Sequence, residues 1–116
     1  MRNDHPPADA GHRRELGDGL LLRWSEARDI DGIAALSGSV FRRAAAEPPN
    51  AWVMGWVRDL MTGGHPHIGP GDYGVVEETG SRRIVSAACL LSYDIEMEGI
   101  VLPFGRPEAV ATHPEY

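Results

Sequence analysis

Lysine and glutamine are missing from this 116-residue chain, and all eleven of its cationic side chains are arginine. That bias reads as GC-rich coding and carries no chemistry of its own. Basic clustering is missing too. Seventeen acidic residues leave a formal charge of -6, which argues against the cationic footprint that nucleic acid requires. Cysteine is nearly absent. A single thiol, Cys89 in "VSAACLL", allows no disulfide framework and fits a reducing, cytoplasmic setting. No apolar stretch approaches the ~18–20 residues that span a bilayer, so no membrane partner is expected. The opening "MRNDHPPADAGHRREL" lacks the apolar centre of a signal peptide.

What remains is enough for one domain with a modest core. Residues 1–18 are polar and carry Pro6, Pro7, Gly11 and Gly17, so they read as a disordered leader. "GLLLRW" (19–24) is a short strand. "ARDIDGIAALSGSVFRR" (27–43) is helical, with Ile30, Ile33, Ser37, Val40 and Phe41 at three- and four-residue steps and Asp29 placed to cap the first turn. Pro48 and Pro49 end it.

The spacing predicts a second helix over 50–64. Asn50 is its N-cap, Gly63 and Gly64 are its terminators, and Trp52, Trp56 and Leu60 form an apolar line with Val53, Val57 and Met61 beside them, a stripe wide enough for a core face whose tryptophan side packs on the sheet. "HPHIGPGD" (65–72) is a loop. "YGVVEET" (73–79) and "RIVSAACLLSYDIEM" (83–97) flank a hairpin turn. The second run is apolar on both faces and should be a central strand. Pro103, Gly105 and Pro107 are expected to interrupt pairing, leaving Glu108–Thr112 as a short last strand. The fold class is α+β, with about four mostly antiparallel strands and two helices between the first and second.

That order, ending in "THPEY" (112–116), resembles the N-terminal half of the GCN5-related N-acetyltransferase superfamily. There the fourth strand typically ends V-x-P-x-Y-R-G-x-G-x-G/A, and Thr112, His113, Pro114, Glu115 and Tyr116 match the lead-in. "LPFGRPEAVATHPEY" is also similar to the enhanced-intracellular-survival-type subgroup. The resemblance covers roughly residues 19–116. It implies a domain truncated before its Gly-rich pyrophosphate loop, where backbone N–H groups at a helix N-terminus would hold the diphosphate. It implies acetyl-coenzyme A as co-substrate, an amine as acceptor, and direct attack with no covalent enzyme intermediate.

By the same resemblance, the backbone of Val110, Ala111 and Thr112 would meet the pantetheine arm and thioester carbonyl. Glu108 would serve as general base, and Trp52 and Trp56 would wall the acceptor site. Each has a plainer reading: ordinary strand residues, a surface carboxylate, and a helical stripe packed on the sheet. Phe41 reads like the two tryptophans. Tyr93, Asp94, Glu96 and Glu98 are either a cluster that attracts a cationic amine or a solvated turn. His65 and His67 lack companions at metal-ligand spacing and read as loop residues. Tyr116 is catalytic equipment by position only. The rival to the enzyme is a non-catalytic half-domain that dimerises or binds a partner through an open strand edge. A third reading is a small-molecule pocket without turnover, lined by the two tryptophans.

Overall fold

The computed structural model describes residue 9 and residues 11–116. Five strands form one antiparallel sheet in chain order: β1 (Arg13–Gly17), β2 (Leu20–Trp24), β3 (Tyr73–Glu78), β4 (Arg83–Met97) and β5 (Ile100–Thr112). A 3₁₀ turn (Ala27–Asp29) leads into α1 (Ile30–Val40), and α2 (Ala51–Thr62) follows. Both helices lie between β2 and β3 in the chain, as the sequence suggests.

Two expectations about the sheet need correction. The expected leader contains a strand, because Arg13–Gly17 pairs with β2 across a tight turn. Asp18 (φ 53°) and Gly19 (φ 75°) both take left-handed conformations there, which a twisted two-residue hairpin demands. Residues 1–8 and 10 of the leader lie outside the described residues.

The prolines do not interrupt β5, which runs for thirteen residues. Pro103 and Pro107 stand opposite Asp94 and Leu90, and both have the parity whose N–H would face away from β4. An edge strand tolerates proline at such positions.

The helices cover one face of the sheet. Ile33, Ala34 and Leu36 of α1 and Val53, Val57 and Met61 of α2 pack on Tyr73, Val75, Ala87, Cys89 and Ala111. Asn50 caps α2 as expected, its side chain accepting the Val53 N–H at 3.2 Å. The helices approach closely at Gly38, where a Cβ would fall 2.5 Å from Met54 Cγ.

The expected α2 stripe is buried mainly on its Val53, Val57 and Met61 side; Trp56 and Leu60 of the tryptophan line are partly buried against the core, and Trp52 is not. Trp52 is 74% exposed and Phe41 42% exposed, while Val53, Val57 and Met61, one position on from that line, face the sheet. Periodicity marks a helix but leaves the rotation of a broad apolar stripe to packing.

Asp29 does not cap α1 with its side chain. Its carboxylate instead accepts the Glu26 N–H at 2.8 Å and two bonds from Arg23, at 2.7 and 2.9 Å. Arg23 Nε also donates to Glu77 Oε2 at 2.8 Å. Arg23 and Asp29 are almost fully buried and Glu77 nearly so. Burial opposes the charge on Asp29, but the Arg23 and Glu26 hydrogen bonds and the nearby cations outweigh it and hold the carboxyl below its usual range. This network ties the start of α1 to β2 and β3.

Candidate functional site

Three strands bring Tyr73, Cys89 and Glu108 into one row on the helix-covered face. The row stands beside a break in the β4–β5 ladder. Ala87 pairs with Ala111 and Cys89 with Glu108, so Ala109 and Val110 together oppose Ala88. Ala109 adopts φ 48°, a left-handed conformation that a non-glycine residue rarely takes. Such a bulge leaves a residue outside the regular ladder and bends the strand.

Glu108 faces a cleft of about 370 Å³ with Trp56, Leu60, His67, Tyr93 and Arg106 on its walls. Arg106 Nη2 lies 2.8 Å from Glu108 Oε1. The cleft abuts a larger open groove of about 760 Å³, which shares His65, His67, Ile68 and Tyr93 and adds Asp72, Asp94 and Glu96. The aromatic side chains form a chain of contacts: His67 to Tyr93 at 5.6 Å and Tyr93 to Phe104 at 5.2 Å between ring centroids.

The structure therefore joins some of the sequence candidates and separates others. Glu108 and Trp56 share a cleft. Trp52 does not line it; it stacks on the outer side of Trp56 at 6.0 Å. Val110 is 56% exposed, Ala111 is buried and Thr112 is exposed, so the three alternate across the strand just past the bulge. Thr112 Oγ1 and Ser86 Oγ are hydrogen-bonded at 2.8 Å. Asp94 and Glu96 line the groove, whereas Glu98 sits in the β4–β5 turn at φ 50°. His65 and His67 are loop residues, as expected, yet both also line the cleft. Their signal was the Pro-Gly-rich loop itself, which is where binding side chains concentrate.

Tyr116 bonds through its hydroxyl to the Glu78 carboxylate and does not line the cleft. Among the described residues, no cluster of three or more His, Cys, Asp or Glu side chains is arranged to hold a metal ion.

Cys89 is fully buried as expected. Burial pushes its thiol up to about 11, with the Asp72 and Glu108 charges adding to the rise and a Tyr73 contact opposing it. The Tyr73 hydroxyl beside it is raised mainly by burial and has no well-formed hydrogen bond. An unactivated thiol is a poor nucleophile.

Among the described residues, no helix lies on the opposite sheet face. Leu22, Trp24, Val76 and Ala88 are partly exposed, and Leu90 and Val110 are 41% and 56% exposed. Among the described residues, no helix is long and apolar enough to cross a membrane. No protein-family model matches the chain, and no curated protein shows significant similarity to it.

Proposed function

We propose that residues 19–116 form the N-terminal part of an acetyl-coenzyme-A-dependent N-acetyltransferase domain that passes acetyl to an amine by direct attack. The observation that carries this reading is the position of Glu108. Its carboxylate lies in an aromatic-walled cleft one residue before the bulge at Ala109. A proton acceptor and a strand with an unpaired backbone step are thus adjacent, and these can supply the base and a carbonyl-polarising donor for amine acylation. The order of one strand, two helices and three antiparallel strands supports it, with β1 as an added edge strand. So does the open apolar face, which suits the further helix that the resemblance implies.

Acetyl-coenzyme A supplies the thioester when bound. The residues present fit its pantetheine arm. Beyond the bulge, the outer edge of β5 runs unpaired past Val110 and Thr112 among the described residues, and strand-like amides can pair there. In this reading Glu108 takes the proton from the incoming ammonium. Trp56 and Leu60 exclude water from the amine, and backbone N–H groups at the bulge, Ala109 and Val110, polarise the carbonyl under attack. Arg106 holds Glu108 oriented at 2.8 Å until a cationic amine replaces it. Cys89 takes no part.

The test is acetyl transfer by the longer parent chain that this reading implies, followed through thiol release. Glu108→Gln should lower kcat by roughly 10²–10⁴-fold, the usual contribution of a general base. Full activity in that variant removes Glu108 from the mechanism. The exposed faces of Leu90 and Val110 also favour a second reading, a non-catalytic module that associates through the sheet. A stable self-associated chain with no transfer activity supports that alternative.

A further inference from the structure

β3 stops pairing with β4 at Tyr73–Cys89, but β4 continues to Met97 and, among the described residues, has a strand partner there on the β5 side only. The Leu90 N–H donates to the Asp72 carbonyl at 2.9 Å, so Leu90 turns its backbone groups toward the β3 side. Strand alternation makes Ser92, Asp94 and Glu96 do the same. The partner strand agrees, because Pro107 and Pro103 stand opposite Leu90 and Asp94, and proline cannot supply a ladder bond to them. The backbone edge of Ser92–Glu96 therefore faces the 760 Å³ groove, across which lies the His65–Asp72 loop. Beyond the Leu90 bond, no backbone hydrogen bond from that loop reaches this edge among the described residues. Asp94 and Glu96 also form no ion pair among the described residues.

We propose that this edge takes up an extended basic peptide as an added strand, and that the peptide's amine is the acceptor in the acyl transfer proposed above. Only the second part rests on that reading. An unpaired row of N–H and C=O groups is matched by another main chain, which a small free amine lacks. Asp94 and Glu96 share one side of β4, so they meet alternate side chains of such a peptide, and lysine or arginine there gives cross-strand pairs. A second copy of this chain fits poorly, because edge-to-edge pairing would bring acidic side chains together on a protein of net charge -6. Ser92 stands three residues beyond Cys89 in the Glu108 row. At about 3.4 Å per residue that is roughly 10 Å, a span covered by three extended residues. His67 and Tyr93 line the way between groove and cleft.

The experiment titrates the 116-residue chain, without cofactor, with an N-acetylated hexapeptide of alternating valine and lysine, followed by amide resonances. The expected result is saturable binding with shifts at Ser92, Asp94 and Glu96. Replacing lysine by glutamate should weaken binding at least tenfold. N-methylation of one alternate set of peptide nitrogens should also weaken it tenfold, while methylation of the other set leaves it unchanged. The double variant Asp94→Asn/Glu96→Gln should lose about tenfold and show a flatter salt dependence. Equal binding by both N-methylated isomers overturns strand addition. Equal binding by the glutamate peptide or by 1,4-diaminobutane, or no binding at millimolar peptide, overturns the partner assignment. A peptide that binds as described but is not acetylated by a parent chain that does acetylate another amine removes the acceptor assignment; a parent chain that acetylates no amine removes the acyltransferase reading, and either leaves the docking edge standing.

Discussion

Arg106 reaches Glu108 two residues along the same strand, guanidinium to carboxylate at 2.8 Å, inside the cleft that Trp56 walls. The pair places a cation where the proposed mechanism needs a substrate ammonium. Arg106→Gln should therefore lower KM for a cationic amine several-fold with little change in kcat, while Glu108→Gln lowers kcat. Steady-state kinetics on the parent chain separate the two effects. A kcat loss in Arg106→Gln as large as in Glu108→Gln would make Arg106 part of the chemistry.

Removing Arg23 should be among the most destabilising single changes. Arg23→Met leaves Asp29 and Glu77 buried without their cation, at a cost of about 3–5 kcal/mol. Urea unfolding reads this as a lower midpoint at an unchanged slope.

The same network sets an acid limit. The folded-state value of Asp29 lies below its unfolded value, so the stability it contributes is full above the unfolded value. That contribution is lost as pH falls through the folded one. The loss falls below about pH 4, the ordinary aspartate range. Asp29→Asn should be less stable at neutral pH and show a flatter stability profile below that point. A parallel profile would place the acid sensitivity elsewhere.

On α2, Met61→Ala should cost about 2–5 kcal/mol, as for a large side chain deleted from a core. Trp52→Ala, on the solvent side, should stay within about 0.5 kcal/mol. Thermal or urea unfolding of the two variants decides which face of the helix is buried.

Cys89 should resist thiol reagents under native conditions and react only on unfolding, since its thiol is buried and raised to about 11. Rapid native labelling would contradict the central-strand placement.

Local chemistry made much of this legible. Tyr73–Glu78 and Arg83–Met97 are bounded in the sequence by glycine, proline and turn residues, and Asn50 announces its helix because a cap is a short-range hydrogen bond. Burial of Cys89 follows from an apolar run with no polar face. The rest depends on partners far along the chain. Arg23 sits in "LLLRW", where nothing marks it as buried; its partners lie 6 and 54 residues away. β1 is exposed along its whole length, so it shows no hydrophobic alternation, and its one local signal is the Asp18-Gly19 pair. The prolines of β5 suggest a break until the parity of an edge strand is known. The same holds for the cleft. Glu108 and Trp56 stand out as separate candidates, but nothing local to His67 and Tyr93 seats them beside that pair.

The most direct measurement is a titration of the 116-residue chain with acetyl-coenzyme A, read by backbone amide resonances and calorimetry. A few strand hydrogen bonds, each worth about 0.5–1.5 kcal/mol net, barely offset an association cost of at least ~4 kcal/mol. A dissociation constant no tighter than roughly 1 mM is therefore expected, with amide shifts confined to Ala109–Thr112 and their neighbours. Micromolar binding, or shifts at millimolar ligand that spare Ala109–Thr112, would contradict the assignment of β5 to the acetyl-coenzyme A site.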